Sequence, residues 1–394
     1  MAYDWKEVER KYFMPVFKRL PIALVRGDGV RVWDDDGKSY LDMVAGIAVN
    51  VLGHAHPAVV DAIADQSKRL IHVSSLYYSI PQLQLAELLV ENSCGDKVFF
   101  GNSGTEANEG AIKLARKYGK LHRDGAFEVI SMSGSFHGRT LATLAATGQA
   151  KFQAPFSPMP AGFKNVAFND IEAVKQATTA QTCAVLLECI QGESGVHLAD
   201  KEYLKSLRSW CDEQGLLLIF DEIQTGMGRT GTFLGFENYG VEPDVFTMAK
   251  GLGGGVPIGA VVAKESANCF TTSDHGSTFG GNPLACAAGV ATVKYILDNG
   301  LVDNAREMGK QLLSGLRSLK DNHPIVRETR GLGLMAALDL EEDRAQELVE
   351  AALSRGLIVN ATGPKTIRLV PPLIVKQQEI EEAVSILDSC LASL

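Results

Sequence analysis

Lys250 is the residue whose surroundings point most clearly to chemistry. It follows the apolar run 245–248 and precedes the glycine-rich stretch 251–255, and a further apolar run covers residues 258–263. A lone lysine is usually solvated, but a lysine enclosed by buried segments loses hydration and its pKa falls. Such an amine can form a Schiff base with a carbonyl compound and can move protons. The glycines would let the backbone approach a flat ligand closely.

A second candidate is Asp221, which ends the apolar run 216–220 and is followed by Glu222. A carboxylate at the end of a strand can simply be a helix cap or a turn residue. In open α/β sheets, however, ligands bind at the carboxyl ends of the strands. We expect Asp221 to be half-buried, and a buried carboxylate needs a cationic partner. No lysine or arginine follows it before Arg229, so a cationic ligand atom would meet that need.

A third candidate is the sequence Asn-Ser-Gly-Thr at residues 102–105, which separates the strand-like run 97–101 from a helical pattern over 105–118. Backbone N–H groups and hydroxyls at a helix N-terminus form an anion site suited to a phosphate. Ser103 or Thr105 would equally well serve as an ordinary N-cap. Alone, this pattern is weak evidence.

The fourth candidate, SFHGRT, follows the strand-like run 127–132. Phe136 could stack on a planar ring or belong to the core, we interpret His137 as structural, and Arg139 could hold a carboxylate through its two-pronged guanidinium. The four candidates together comprise a Schiff-base lysine, a carboxylate for a ring nitrogen, a phosphate-binding helix start and an aromatic platform. That combination predicts a pyridoxal phosphate site.

The elements that carry these residues predict an α/β fold. Apolar runs separated by helical patterns are typical of a mostly parallel sheet covered on both faces. Each candidate follows a strand of that sheet, so all four would lie along one edge. The strand-like runs are 97–101, 127–132, 183–189, 216–221, 245–248 and 258–263, and helical patterns between them cover 105–118, 171–177 and 202–213.

The two ends of the chain differ from its middle. Residues 30–33 and 40–43 flank a DDDGKS turn and predict a hairpin. Beyond residue 285 we expect a smaller α+β domain. The predicted organisation is an N-terminal segment (1–50) that packs with the small domain, a large cofactor-binding domain (51–285) and the C-terminal small domain (286–394). Helices are predicted there at 286–297, 301–319, 344–355 and 378–391, and strands at 332–338 and 366–370.

Composition excludes several classes of protein. Lys and Arg number 38 against 47 Asp and Glu, which gives a formal charge of −9, and this disfavours binding to nucleic acid through its phosphates. No apolar run is long enough to span a membrane, and the first residues do not resemble a targeting peptide. The seven scattered cysteines contain no C-x-x-C, so we expect reduced thiols, no metal site and a cytoplasmic location.

A nicotinamide-dependent dehydrogenase is the rival of another class. GMGRTG at residues 226–231 follows a strand and matches the dinucleotide fingerprint G-x-G-x-x-G, with Asp244 in the place of the ribose-binding acid. The fingerprint must open a helix, whereas residues 232–240 are aromatic and interrupted by glycine. A second near-match, GLGLMA at 331–336, runs into strand-like sequence. Both patterns therefore argue weakly for a dinucleotide.

The chain resembles the class III (ω-amino acid) aminotransferases, which have the type I fold of pyridoxal phosphate enzymes. The resemblance covers nearly the whole chain and is more specific for the family than for the substrate. Its markers are AGIAVNVLGHAHP (45–57), FFGNSGTEANEGAIK (99–113), SFHGRT (135–140), LLECIQGESGV (186–196), IFDEIQTGMGRTG (219–231), TMAKGLGGGVPIGA (247–260), HGSTFGGNPLACAA (275–288) and IRLVPPL (367–373).

The resemblance implies a role for each matching residue. Lys250 would bind the cofactor covalently and move the substrate's proton, and Asp221 would pair with the ring nitrogen. Phe136 would stack on the ring and Gln224 would contact its phenolic oxygen. Thr278 would reach the phosphate from the neighbouring subunit of a homodimer. The phosphate itself would be held by Ser103, Gly104 and Thr105.

The resemblance also implies how one pocket accepts two unlike amino donors. Arg139 would bind the carboxylate distant from the reacting carbon, which N-acetylornithine and glutamate share. Arg368 would bind the carboxylate adjacent to that carbon in glutamate, and Glu193 would neutralise Arg368 otherwise, because an unpaired buried arginine is costly. A purely structural ion pair is the alternative. The resemblance implies a tyrosine at the position of Ile47 in ornithine-specific relatives, so an N-acylated donor fits better, although Ile47 would also suit 4-aminobutyrate.

The expected reaction is a ping-pong transfer of the 5-amino group of N-acetylornithine to 2-oxoglutarate, which belongs to arginine biosynthesis. It would give N-acetylglutamate 5-semialdehyde and glutamate. Succinylornithine, N-succinyl-diaminopimelate, 4-aminobutyrate and ornithine remain alternative donors, because the sequence does not reveal the size of the acyl pocket. The partners are therefore small molecules and a second copy of the chain.

Overall fold

The computed structural model describes residues 4–394. The strands are β1 (Leu24–Asp28), β2 (Arg31–Asp34), β3 (Ser39–Asp42), β4 (Lys97–Gly101), β5 (Glu128–Met132), β6 (Phe163–Val166), β7 (Thr182–Leu187), β8 (Ile190–Gln191), β9 (His197–Leu198), β10 (Leu217–Asp221), β11 (Val245–Met248), β12 (Gly259–Ala263), β13 (Val326–Leu332), β14 (Met335–Leu340), β15 (Leu357–Ile358), β16 (Asn360–Ala361) and β17 (Thr366–Leu369). The helices are α1 (Trp5–Tyr12), α2 (Ala45–Ala48), α3 (Pro57–Arg69), α4 (Ile80–Glu91), α5 (Gly104–His122), α6 (Leu141–Ala146), α7 (Ala150–Gln153), α8 (Ile171–Ala177), α9 (Lys201–Gln214), α10 (Pro283–Asp298), α11 (Leu301–Asn322), α12 (Ala345–Ser354) and α13 (Gln377–Leu391).

A seven-stranded sheet forms the centre of the molecule, in the order β4-β12-β11-β10-β7-β5-β6. Strand β12 runs antiparallel to both of its neighbours, and the other pairs are parallel. The prediction of a mostly parallel sheet is therefore confirmed. Every residue of β7 and β10 is buried, as expected for apolar strands covered on both faces. The edge strand β6 was not predicted, because its sequence FKNV has no continuous apolar run.

Strand direction brings the candidate residues to one edge of this sheet. The carboxyl ends of β4, β5, β10 and β11 meet there, together with the amino end of the reversed strand β12. Helix α5 follows β4 and packs across β11 and β12. The first turn of α5 therefore lies at the same edge of the sheet as the carboxyl ends of β10 and β11. This arrangement is the one in which α/β proteins bind their ligands.

The chain forms two further four-stranded sheets, and the first of them joins strands from both ends of the chain. The predicted hairpin is present as β2 and β3, and the C-terminal strand β15 pairs with β3. A second sheet, in the order β13-β14-β17-β16, is entirely antiparallel and carries Arg368 on β17. Helix α10 packs against α3, α4 and the turn that begins at Lys250, so it packs with the part of the chain that contains the central sheet. The domain boundaries near residues 50 and 285 stay predictions.

The two glycine-rich motifs that resembled dinucleotide sites pack against each other. Leu334 N donates to Arg229 O (2.9 Å), and Arg229 Nη1 donates to Leu334 O (3.0 Å). Gly333 has φ +55°, and a Cβ there would lie 2.5 Å from the carbonyl carbon of Thr230. Neither motif opens a helix, since GMGRTG forms a turn and GLGLMA enters β14. The glycines therefore serve a close backbone contact between the two parts of the molecule.

None of the helices between residues 4 and 394 combines the length and the apolar character that crossing a bilayer requires.

Candidate active site

A cavity of about 430 Å³ opens at the carboxyl edge of the central sheet. Most of the predicted site residues line it, although they come from widely separated segments of the chain. They follow β4, β5, β7, β10 and β11. These residues are Ser103, Gly104, Thr105, Phe136, Arg139, Glu193, Asp221, Gln224 and Lys250.

Lys250 lies at the floor of this cavity, two residues after the end of β11. Its backbone has φ +41°, a conformation that a non-glycine residue rarely adopts and that is characteristic of functional sites. Burial lowers the pKa of Lys250 below the usual range of lysine, although the carboxylates of Glu193 and Asp221 oppose the effect. The amine therefore loses its proton more readily than a solvated lysine, which is what Schiff-base chemistry requires.

Asp221 is buried, with 3% of its surface exposed, so the prediction that it would be half-buried is wrong. Its Oδ2 accepts a hydrogen bond from Asn108 Nδ2 (2.7 Å) and lies 2.8 Å from His137 Nδ1. Its Oδ1 accepts from the backbone N–H of Ile223 (3.1 Å). Three polar partners thus fix the orientation of the carboxylate at the end of β10.

Two of these partners went unrecognised in the sequence. His137 was interpreted only as structural, yet it touches Asp221 directly, and its buried Nε2 has no partner among the residues that the structure describes. Asn108 lies in the first part of α5 and also accepts a hydrogen bond from the Thr247 hydroxyl (2.8 Å). The only sequence signal for Asn108 was its place inside the segment NSGTEANEG, four residues after Gly104.

The start of α5 forms the narrow wall of the cavity. Ser103 is the N-cap, and its hydroxyl accepts from Glu106 N (3.2 Å), while its contact with a phosphate stays a prediction. A Cβ on Gly104 would lie 2.7 Å from Cδ1 of the Ile223 side chain, so this turn approaches the chain beyond β10 closely and a larger residue would require Ile223 to move. The cavity-lining Gly104 and Thr105 are the first residues of the helix, where backbone N–H groups attract an anion.

Glu188 is a second buried carboxylate in the site that sequence reasoning missed. Its oxygens accept from the backbone N–H groups of Phe136 (2.9 Å) and Gly192 (3.1 Å), which ties the loops after β5 and β7 together. Burial raises the pKa of Glu188, and the charge of Asp221 adds to this increase. Its sequence signal was a carboxylate directly after the apolar run of β7, the same pattern that identified Asp221.

Arg368 reaches the cavity region from the small antiparallel sheet and is fully buried. Its Nη1 donates to Glu193 Oε1 (2.6 Å) and to the carbonyl oxygen of Gly192 (3.1 Å), while its buried Nη2 has no partner among residues 4–394. Burial alone would raise the pKa of Glu193, but the charges of Arg368 and Lys250 outweigh it, so the pKa lies below the usual range. Glu193 is therefore an ionised partner of Arg368.

Gln224 connects this ion pair to the floor of the cavity. Its Nε2 donates to Glu193 Oε1 (3.3 Å), and its Oε1 lies 3.4 Å from Arg368 Nη1. The side chain therefore contacts both members of the pair while also lining the cavity.

Comparison with known proteins identifies the family. The sequence model described as "Aminotransferase class-III" matches residues 13–391. The chain belongs to the class-III aminotransferases. This confirms the resemblance inferred from the motifs, and the fold agrees with it.

This class-III aminotransferase is similar to curated and solved relatives over almost its full length. An acetylornithine aminotransferase of Caldanaerobacter subterraneus is 53% identical over 98% of both chains. One from Methanocaldococcus jannaschii is 51% identical over 99% of this chain and 98% of its own. The ornithine aminotransferase of Toxoplasma gondii, whose crystal structure has PLP in partial occupancy at its active site, is 31% identical with a TM-score of 0.95, covering 99% of this chain and 94% of its own.

Three of the predicted residues of this class-III aminotransferase do not line the cavity. Arg368 lies behind Glu193, as described above. Ile47 is 41% exposed with φ +65°, in a left-handed turn, and Val49 lines the cavity instead. Thr278 is exposed and does not line the cavity of its own chain. The roles assigned to Ile47 and Thr278 stay predictions.

Proposed function

We propose that this class-III aminotransferase uses pyridoxal phosphate to transfer the 5-amino group of N-acetylornithine to 2-oxoglutarate. The single observation that carries the proposal is the pairing of buried Arg368 with Glu193 beside Lys250. A removable carboxylate next to an arginine fits an enzyme that must accept donors with and without an adjacent carboxylate. The relatives that share about half of this sequence are named acetylornithine aminotransferases, which favours the same donor.

The residues present fit pyridoxal phosphate. Gly104 and Thr105 would hold the phosphate at the start of α5, and Phe136 would cover the ring. Asp221, held by its three partners, would pair with the ring nitrogen, and Gln224 would meet the phenolic oxygen. When bound, the cofactor supplies a carbonyl group that condenses with amines and a protonated ring that accepts electrons from the substrate carbon.

The chain's own residues would control the proton. Lys250 would hold the cofactor covalently through its Nζ, and the same Nζ would move the proton of the substrate's amino-bearing carbon. Burial suits this task because it lowers the pKa of the amine. Asp221, which contacts Asn108 and His137, would hold the ring nitrogen in its protonated form through its negative charge.

Two arginines would distinguish the two amino donors. With N-acetylornithine bound, Arg139 would hold the distal carboxylate and Glu193 would stay on Arg368. With glutamate bound, Glu193 would move aside and Arg368 would take the adjacent carboxylate. The buried Nη2 of Arg368, which has no partner within the described chain, is ready to donate to a second carboxylate oxygen.

The acyl group of the donor is the part of the proposal that rests on similarity. Ile47 cannot bind the free α-amino group of ornithine, so an N-acylated donor is favoured. Succinylornithine, N-succinyl-diaminopimelate and 4-aminobutyrate are the remaining alternatives within the family. A dehydrogenase is disfavoured, because its glycine motif is closed by contact with Gly333 and Leu334.

We further propose a cytoplasmic homodimer. Thr278 is exposed and does not line the cavity of its own chain, so it could complete the phosphate site of a second copy. The seven free cysteines form no disulfide between residues 4 and 394, which favours a reducing compartment.

The visible absorption spectrum of the purified protein, recorded before and after addition of N-acetylornithine, tests the proposal. We expect a yellow protein whose band bleaches with N-acetylornithine and returns with 2-oxoglutarate. A yellow protein that only succinylornithine, 4-aminobutyrate or ornithine bleaches would keep the cofactor and refute the donor. A protein that stays colourless after incubation with pyridoxal phosphate would refute the cofactor itself.

A further inference from the structure

The aromatic ring of Phe152 lies against the guanidinium group of Arg139. Cζ of Arg139 is 4.1 Å from the centroid of the Phe152 ring, and 5.3 Å from that of Phe136. A guanidinium group over an aromatic face is attracted by the ring quadrupole. Phe152 belongs to α7, a short turn of helix that the sequence analysis did not connect with the site.

This contact leaves the donors of Arg139 free. Within residues 4–394 no carboxylate pairs with its guanidinium, and only its backbone N–H is bonded, to the hydroxyl of Thr105 (3.1 Å). The N–H groups of a guanidinium lie in its plane, so a ring against its face does not block them. Arg139 is exposed and lines the cavity, and its free donors can take a carboxylate in two-pronged fashion.

Phe152 itself is held in place by its neighbours on both sides. Gln149 Nε2 donates to the carbonyl oxygen of Ser135 (3.1 Å), just before the loop that carries Arg139. Gln153 Nε2 donates to the carbonyl oxygen of Thr147 (2.7 Å). The turn is thus tied to the segment that carries Arg139. The Phe152 ring is therefore placed by the backbone and can orient Arg139.

We propose that Phe152 is a positioning residue that determines specificity for the distal carboxylate of both amino donors. It would restrict Arg139 to orientations that point its donors into the cavity, so that less side-chain entropy is lost when the carboxylate binds. This rests on the proposed function, in which Arg139 binds that carboxylate. Lys151 lies 4.8 Å from the same ring but is exposed and does not line the cavity, so it is not the carboxylate's ligand.

Steady-state kinetics of the holoenzyme with Phe152→Leu test the proposal. We expect KM for N-acetylornithine and for glutamate to rise about fivefold, the equivalent of a cation–π contact of ~1 kcal/mol, while kcat changes less than about twofold. The dissociation constant of glutarate, measured by calorimetry, should rise by the same factor, because glutarate has the distal carboxylate and no amino group. Phe152→Trp keeps an aromatic face and should restore both constants.

Two single variants and one double variant separate this role from a structural one. Phe156→Leu, which removes an exposed ring from the short 3-10 turn directly after α7 (Ala154–Phe156), is the matched control and should leave KM unchanged. Arg139→Ala should raise both KM values by more than Phe152→Leu does, and adding Phe152→Leu to it should have no further effect. Phe152→Met replaces the leucine variant if that variant does not fold.

Two results would overturn the inference, and a third would overturn its basis. If Arg139→Ala raises KM and Phe152→Leu does not, Phe152 does not position the arginine. If Phe152→Leu acts equally with and without Arg139, its role is general packing. If Arg139→Ala itself leaves both KM values unchanged, the proposed function of Arg139 is wrong, and the positioning role falls with it.

Discussion

Replacing Glu193 with glutamine should change which amino donor the enzyme prefers. In the folded chain Glu193 Oε1 lies 2.6 Å from Nη1 of the fully buried Arg368. In the proposed function, glutamate would displace this carboxylate to bind, whereas N-acetylornithine would leave it in place. Glu193→Gln removes the charge and keeps the shape, so glutamate has less to displace and N-acetylornithine leaves an arginine without its counter-charge. Both effects favour glutamate.

The size of the change follows from the burial of the pair. Breaking a fully buried ion pair costs roughly 3–5 kcal/mol. The Glu193 side chain retains 29% exposure, so solvent screens part of its charge and reduces the cost to about 2 kcal/mol. That energy corresponds to about a 30-fold change in the ratio of rate constants.

Single-turnover absorbance measurements of each half-reaction are the assay. The ratio of kmax to apparent dissociation constant for glutamate, divided by that for N-acetylornithine, should rise about 30-fold in Glu193→Gln. Glu193→Asp keeps the charge and serves as the control, with a much smaller change. An unaltered ratio in Glu193→Gln would refute the displacement of Glu193 and leave a purely structural ion pair.

Three other substitutions have defined outcomes. Lys250→Ala should abolish turnover while the circular dichroism spectrum and the melting temperature stay near those of the wild type. Retained activity would refute the catalytic role assigned to Lys250. Arg368→Ala should slow the glutamate half-reaction more than the N-acetylornithine one, and equal losses in single-turnover assays would contradict its assigned role. Gly333→Ala should lower the free energy of unfolding by about 3 kcal/mol, because its φ is +55° and its Cβ would meet the Thr230 backbone. Denaturant titration alongside Gly363→Ala, whose Cβ meets no atom within 4 Å, checks this, and equal stabilities would disprove the close contact.

The central sheet was predictable because its strands are continuous apolar runs. Burial on both faces leaves no polar alternation, so β10 and β11 stand out, and the carboxylate and the lysine that follow them stand out with them. The edge strand β6 escaped prediction because a strand that is only partly covered keeps polar residues such as Lys164 and Asn165. The reversal of β12 was also unpredictable, since apolar content does not encode strand direction.

The contacts among the site residues could not be predicted from local sequence patterns. His137 and Asp221 are 84 positions apart, and nothing local in the sequence joins them. Nothing local in the sequence joins Phe152 to Arg139 either. The composition of its short helix gives no indication of a site, but the Phe152 ring contacts the Arg139 guanidinium in the folded chain. Arg368 and Glu193 were paired only through resemblance to a family, and the folded chain places them in contact.

The sequence by itself determined the fold class, the family and the identities of the lysine, the carboxylate and the helix start that face the cavity. It could do so because each residue ends or follows an apolar run, and the carboxyl ends of parallel strands meet at one edge. Only the tertiary structure decided how deeply Asp221 is buried, what holds it, and which side chains orient the two arginines. Those properties depend on contacts between distant segments, whose geometry follows from packing and not from local spacing.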